Sequence, residues 1–110
     1  MSQNQTSGIF EAIRIIVQSI PRGRVSTYGN VAAAVHILNS RVVGWALRNN
    51  RNPLIPCHRV VQKGGTLSPD FSLGGMAEQR RRLAADGLQI QGNQILEFDQ
   101  VFFDLTRNRV

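Results

Sequence analysis

The sequence predicts one mainly helical domain with a small β wing, a winged helix-turn-helix. Four segments carry apolar residues at helical spacing, and a short turn joins the second segment to the third. A glycine turn over residues 63–65 separates two short strand-like runs, which predicts the wing. The 110 residues show no dividing linker. We therefore expect a disordered polar tail over residues 1–7 and a single domain over residues 8–110.

The first two helices are predicted from apolar stripes and their end signals. A regular stripe begins at Gly8 and continues to Ile20, where Pro21 ends the helix. The second helix follows a basic turn, and either Ser26 or Thr27 can cap it. One face of this second helix would carry Tyr28, Val31, Ala32 and Val35.

The third helix has two contrasting faces. Asn39 or Ser40 can cap it, and it is predicted to end near Asn50. Its apolar positions, expected to face inwards, are Val43, Ala46 and Leu47. Its opposite face carries Arg41, Gly44, Trp45 and Arg48. That second face is either a stripe that approaches a DNA groove or a solvated surface with Trp45 half packed, and spacing alone leaves both open.

The remaining chain predicts a fourth helix and a hairpin. The helix covers residues 76–86, with Leu83 and Ala84 inwards and Gly87 as the residue after its end. Its three arginines at 80–82 are either a solvated face or a contact to DNA backbone. Residues 88–98 alternate around a Gly-Asn turn and predict a hairpin. The last apolar residues are expected to pack back on the body: Val101, Phe102, Phe103 and Leu105.

The net charge indicates the kind of partner, and the cysteine content indicates the cellular compartment. Thirteen Lys and Arg residues against seven Asp and Glu give a net charge of +6, and every basic residue except Lys63 is arginine. Such a balance favours a polyanionic partner, nucleic acid before membrane, with general solubility as the alternative. One cysteine cannot form an internal disulfide, and no signal peptide or membrane-spanning run is visible. We therefore expect a cytoplasmic or nuclear protein. We expect no metal site, because the candidate ligands Cys57, His36 and His58 are scattered along the sequence.

The chemistry-bearing stretch is the apolar run at residues 53–61. It holds the only cysteine, Cys57, directly followed by His58 and Arg59, and Pro56 fixes the preceding turn. A thiol is a nucleophile only as the thiolate, and a neighbouring cation or histidine lowers its pKa. The stretch is therefore consistent with a reactive cysteine. The alternative is a small buried hydrophobe in an apolar setting.

The run Pro56-Cys57-His58-Arg59-Val60 resembles the active-site signature of the O6-alkylguanine-DNA alkyltransferases, also called methylated-DNA–protein-cysteine methyltransferases. Residues 25–29 resemble the tyrosine-bearing helix start of that family, and residues 40–50 resemble its recognition helix. Phe71-Ser72, Gly74-Gly75 and residues 83–87 follow in the same order. The resemblance covers roughly residues 8–90. It implies a DNA repair protein that flips O6-alkylguanine out of duplex DNA and transfers the alkyl group once, irreversibly, to its own cysteine.

The resemblance also implies roles for individual residues. Cys57 would accept the alkyl group, His58 would take the thiol proton through a water, and Asp86 would hold His58. Asn50 would brace the turn that carries the cysteine. Tyr28 would displace the phosphate of the target nucleotide and give a proton to the departing guanine. Because the reaction is complete with these groups, no cofactor is implied.

The DNA-facing and pocket positions follow from the same resemblance. Arg41 would enter the base stack as a finger and fill the gap left by the flipped base. Ser72 would donate to the O6 atom. Further DNA contacts are implied at Thr27, Gly44, Trp45 and Arg48, and the guanine pocket at Val60, Phe71 and Ser72. The implied partner is double-stranded DNA containing O6-alkylguanine. The protein is expected to bind this DNA as a monomer, with other repair proteins as further partners.

Several features depart from the family pattern and keep other functions open. Asp86 stands where glutamate is usual, so we expect a longer or wetter contact to His58. Trp45 replaces a smaller or polar residue. The family's separate N-terminal domain is not seen, so the length is that of the alkyltransferase-like proteins, which bind and flip the lesion without repairing it. The alternatives are such a lesion sensor and, from charge alone, a plain winged-helix regulator. The presence of Cys57 favours chemistry.

Overall fold

The computed structural model describes residues 2–107, with side chains from residue 8 onwards. Its helices and strands confirm a mainly helical chain with small sheets. The helices are α1 (Ser2–Gln18), α2 (Tyr28–Ala34), α3 (Arg41–Arg48), α4 (Gly75–Ala85) and α5 (Phe98–Val101). The strands are β1 (Ser26–Thr27), β2 (Val60–Val61), β3 (Ile90–Gln91) and β4 (Gln94–Ile95). Short 3-10 turns lie at Cys57–Arg59 and Lys63–Gly65.

Helix α1 supplies the largest apolar face of the main core. Ile13, Val17 and Ile20 are fully or almost fully buried, as the stripe predicts. The chain tightens after Gln18 into a turn that ends before Pro21, which cannot continue a helix. The helix begins at Ser2, so it overlaps the tail predicted over residues 1–7. Met1 of that tail lies outside the described residues.

The helix-turn-helix is fixed by capping. Of the two candidate caps for α2, Thr27 is the one used, since its side-chain oxygen accepts from the Asn30 amide at 3.1 Å. At α3, Asn39 Oδ1 accepts from the Arg41 amide at 2.9 Å, while the side chain of Ser40 makes no capping bond. Helix α3 ends at Arg48 rather than at Asn50.

Two small sheets place the later segments. Strands β1 and β2 run parallel, with Ser26 paired to Val60, so the chain after the Cys57–Arg59 turn lies beside the start of α2. Strands β3 and β4 form the predicted hairpin. The predicted wing turn at Lys63–Gly65 is present and is closed by a bond from the Gln62 amide to the Thr66 carbonyl. Thr66 then pairs with Gln94 of the hairpin, so the wing is the turn and hairpin together.

Two apolar clusters stabilise these elements. The larger joins α1, α2 and α3 to Cys57, Val60 and Phe71. The smaller joins α4 to the wing and contains Val25, Val61, Leu67, Leu83, Leu88 and Ile95. The C-terminal segment packs back as predicted, with Leu105 buried. The prediction that Ala84 faces inwards is wrong: it is exposed, although Leu83 is buried. Within residues 2–107, no helix is long and apolar enough to cross a membrane.

Candidate active site

Cys57 sits at the wall of a cavity beside the helix-turn-helix. The thiol is reduced and only 6% exposed, on the first residue of a 3-10 turn that Pro56 introduces. The cavity has a volume of about 460 Å³ and opens to solvent. It brings together most of the residues predicted for the site, namely Tyr28, Arg41, Gly44, Trp45, Arg48, Cys57, Phe71 and Ser72. Lining residues from position 28 to position 72 of the sequence therefore converge on one thiol.

Two predicted contact residues lie elsewhere. Val60 does not line this cavity; it is fully buried in the core, and its carbonyl bonds to other side chains. The implied pocket role of Val60 is therefore wrong for its side chain, since strand β2 points it inwards. Thr27 is also absent from the lining, and its hydroxyl caps α2.

Asn50 contacts the thiol directly. Its Nδ2 lies 3.4 Å from Cys57 Sγ and donates to it. The same amide donates to the Asn52 carbonyl at 2.9 Å, and its Oδ1 accepts from the Asn52 amide at 3.1 Å. These bonds join the loop between α3 and the cysteine turn to the Cys57 thiol.

His58 is held from behind by the end of α4. Its Nε2 lies 2.9 Å from Asp86 Oδ2, a direct hydrogen bond. The expectation of a longer or wetter contact through the shorter acid is wrong in this structure. Arg59 binds the same carboxylate, with its Nε and Nη2 at 2.8 and 3.3 Å from the Asp86 oxygens. Arg59 is itself anchored on the Ile20 carbonyl at 3.0 Å.

Burial disfavours the charged form of both the Cys57 thiol and the His58 imidazole. Burial raises the pKa of the Cys57 thiol, and the bond from Asn50 only partly opposes this. The sequence-based expectation of a lowered thiol pKa is therefore wrong here, because the side chains of His58 and Arg59 are turned to Asp86. Burial also lowers the pKa of His58, although Asp86 opposes it.

The protonation of His58 follows from its partner. Burial tends to raise the pKa of Asp86, but the hydrogen bonds from Arg59 and His58 outweigh it and hold that pKa below its usual value. The carboxylate is ionised, so it must accept a proton from Nε2 of the neutral imidazole. Nδ1 is then left with a lone pair and can act as a base.

Tyr28 stands across the cavity with its hydroxyl engaged. The phenol donates to Ser68 Oγ at 2.8 Å, and burial raises its pKa, with Ser68 opposing. Tyr28 is therefore a neutral proton donor at physiological pH. The wall beside it is formed by Phe71, whose ring lies under the Arg82 guanidinium at 5.5 Å.

The arginines divide into structural and free ones. Most bind carbonyls or carboxylates within the domain: Arg14, Arg22, Arg24, Arg59, Arg80, Arg81 and Arg82. Among the described residues, the side chains of Arg41, Arg48, Arg51 and Arg107 have no such partner, and all four are exposed. Arg41 and Arg48 flank the half-exposed Trp45 at the cavity. Two of the four arginines without such a partner therefore line the cavity that holds the thiol.

The run Arg80–Arg82 is a stabilised helix surface. Arg81 and Arg82 both bind Glu78, and these bonds lower its pKa to about 2. Arg80 binds the Gly92 carbonyl and the Asn93 side chain of the β3–β4 turn. Of the two interpretations left open for this run, a helix face at the surface fits these contacts better than a contact to DNA backbone.

Two buried polar residues escaped the sequence-based prediction. Ser68 and Gln79 are 2% and 0% exposed, and they connect the cavity wall to the cysteine turn. Gln79 lies four residues before Leu83 and therefore shares the buried face of α4. That spacing was a signal that a polar residue faces the core. Within the described chain, no group of three His, Cys, Asp or Glu residues could hold a metal ion.

Comparison with known proteins gives the family. The model of the 6-O-methylguanine DNA methyltransferase, DNA binding domain, matches residues 9–88. The chain belongs to this family. It is 40% identical over 90 residues to a bifunctional methyltransferase/endonuclease of Thermoplasma volcanium, a match covering 80% of this chain. The match spans only 28% of that longer relative.

A second relative and a solved structure are similar along most of their length. Alkyltransferase-like protein 1 of Schizosaccharomyces pombe is 34% identical over 84 residues, which are 74% of this chain and 78% of the relative. The crystal structure of S. pombe Atl1 with damaged DNA containing O6-carboxymethylguanine superposes with a TM-score of 0.79 and 29% identity. It covers 88% of this chain and 95% of that one. The helix-turn-helix fold predicted from sequence is thereby confirmed.

Proposed function

We propose that this protein repairs O6-alkylguanine in duplex DNA by moving the alkyl group onto Cys57. The observation that carries the proposal is a reduced thiol at the wall of a cavity that Tyr28, Arg41 and Arg48 also line. The cavity is large enough for a flipped base, and its lining includes Arg41 and Arg48, two arginines without a partner in the domain. Family membership supports the same reaction class.

DNA binding and base flipping come first. Arg48 and Arg51 are free to bind phosphates, and Arg41 is free to enter the stack where the lesion leaves it. Flipping costs a few kcal/mol, which the wedge and the phosphate contacts offset. Trp45 lies between the two cavity arginines and offers an aromatic face to the groove.

Transfer then requires two proton movements. The Cys57 proton leaves through a water to Nδ1 of His58, whose Nε2 stays bonded to Asp86. The sulfur attacks the alkyl carbon, an S–C bond forms and the C–O6 bond breaks. The electron pair of that bond passes to the guanine, which takes a proton from Tyr28. The thioether has no hydrolytic return, so one protein repairs one lesion.

Burial of the thiol gives a reason why deprotonation of Cys57 follows base flipping. A thiol with a raised pKa is protected from stray electrophiles and oxidants in the free protein. The flipped base closes the cavity and brings the alkyl carbon to sulfur, so deprotonation is needed only there. No cofactor enters these steps.

The test is alkyl transfer to wild-type protein and to Cys57→Ser. Incubation with a duplex carrying O6-methylguanine should methylate the wild-type Cys57 peptide. Cys57→Ser should bind the same duplex without gaining mass. A mutant that still takes up the methyl group would refute the assignment.

A non-repairing lesion sensor is the second candidate. The high thiol pKa favours it, as does the match that covers 95% of S. pombe Atl1. Under this function, alkylated duplex binds better than plain duplex while Cys57 remains unmodified. Other repair factors would then act on the marked site.

A further inference from the structure

Gln79 is a fully buried polar side chain that the proposed chemistry does not use. It projects from α4, and its Oε1 accepts from the Ser68 amide at 2.7 Å. Its Nε2 donates to the His58 carbonyl at 3.2 Å and to the Val60 carbonyl at 3.1 Å. An apolar side chain would fill this space without needing partners. The three bonds instead join α4 to the cysteine turn and to the cavity wall.

The same network reaches the hydroxyl of Tyr28. Ser68 is 2% exposed, and its Oγ accepts from Tyr28 at 2.8 Å while donating to the Val60 carbonyl at 3.4 Å. The Ser68 amide is the group that Gln79 holds. A continuous chain of hydrogen bonds therefore runs from Tyr28 through Ser68 and Gln79 to the residues that follow Cys57.

We propose that Gln79 is a positioning residue that, through Ser68, sets the Tyr28 hydroxyl relative to the Cys57 sulfur. This inference rests on the proposed function for its effect on transfer. Helix α4 holds the His58 carbonyl through Gln79, and Asp86, the residue that caps this helix, holds the His58 imidazole. Helix α4 and its cap thus fix His58 as the base, the turn that carries Cys57 and, through Ser68, Tyr28 as the proton donor.

Such positioning has a kinetic consequence. The sulfur, the alkyl carbon and O6 must lie in line while Tyr28 reaches the same guanine. A misplacement of about 1 Å in such an arrangement can cost on the order of a hundredfold in rate. Gln79 touches neither the cavity nor any free arginine, so its loss should slow transfer without weakening binding.

The first experiment uses Gln79→Met, a replacement of similar length that has no hydrogen-bonding groups. We expect the rate constant for methylation of Cys57 in the bound complex to fall about tenfold to a hundredfold. The Kd for the lesion duplex should stay within about twofold. Ile95→Ala is the control. Ile95 lies in the smaller apolar cluster, so this substitution should lower stability without touching the hydrogen-bond network of Gln79. Circular dichroism at the assay temperature confirms that each variant is folded.

The second experiment is independent of transfer. Tyr28 is the only tyrosine, so protein labelled with 3-fluorotyrosine has one fluorine resonance. Ser68→Ala removes the partner of the phenol and defines the resonance of a released Tyr28. Gln79→Met should move the resonance towards that position, whereas Ile95→Ala should not.

The two experiments separate the two ideas. If wild-type protein binds lesion DNA but never methylates Cys57, the proposed transfer function fails, and the fluorine resonance still decides whether Gln79 positions Tyr28. If folded Gln79→Met leaves the fluorine resonance at its wild-type position, the inference is overturned. A wild-type transfer rate in that variant would overturn it as well.

Discussion

Replacing Asp86 with asparagine tests the arrangement behind the thiol. The carboxylate accepts from His58 and twice from Arg59, and its side chain is only 9% exposed. Asparagine keeps one acceptor oxygen but loses the charge that orients the imidazole and pairs with the guanidinium. Hydrogen bonds to a charged group contribute about 1.5–3 kcal/mol each. We therefore expect the free energy of unfolding to fall by about 2 kcal/mol, with Tm lower by roughly 10 °C.

The effect on transfer should be larger than the effect on stability. A positioned general base contributes about 10²- to 10⁴-fold to a rate. An imidazole whose Nε2 proton is no longer held by an anion loses its fixed tautomer. We expect Asp86→Asn to slow methylation of Cys57 at least about tenfold when measured at a temperature where it is folded.

The assay is a single-turnover time course read by intact mass. Asp99→Asn is the matched control, because Asp99 is an exposed acid for which the structure describes no side-chain bond. Asp86→Glu should retain most of the activity, because the charge is restored. Transfer by Asp86→Asn at the wild-type rate would refute the account of His58.

Three further predictions follow from the same structure. Arg41→Ala and Arg48→Ala should each weaken duplex binding more than Arg80→Ala, in titrations at several salt concentrations. If Arg48 and Arg51 are the phosphate contacts, log K should fall with log salt at a slope of about −1.8, and a slope twice as steep would contradict this. Because burial lowers the pKa of His58, the unfolded chain binds its proton more readily, so stability should fall as pH drops below about 6.5. Urea unfolding at several pH values measures this stability, and His58→Gln should lack the part of the pH dependence that comes from His58. Gly65→Ala should cost about 1–3 kcal/mol in urea unfolding and more than Gly64→Ala. Both glycines have positive φ, but only at position 65 would a Cβ meet the Phe98 ring, at 2.8 Å, so equal costs would contradict the packing.

The sequence predicted the helices well because their signals are local. Stripes of apolar residues located α1, α3 and α4, and the basic outward face of α3 does line the cavity. Capping was predicted only as a choice, since Ser26 and Thr27 both have a suitable hydroxyl. In the structure the Ser26 hydroxyl instead donates to Asn30 Oδ1, and Asn30 is held by Asp104 and Leu105 from the far end of the chain.

The site was less predictable for the same reason. Cys57 beside His58 and Arg59 suggested a lowered thiol pKa, but the fold turns both neighbouring side chains towards Asp86. Adjacent residues in a turn point in different directions, so sequence proximity does not give side-chain proximity. Ser68 and Gln79 give no local sign of burial, because polar residues mostly lie at the surface, although the spacing of Gln79 from Leu83 places it on the buried face.

Mass spectrometry of the intact protein after incubation with duplex containing O6-methylguanine tests the central claim most directly. The account predicts stoichiometric gain of one methyl group, located on the Cys57 peptide and absent in Cys57→Ser. An unmodified Cys57 in protein that retains the lesion duplex would contradict transfer and identify a sensor.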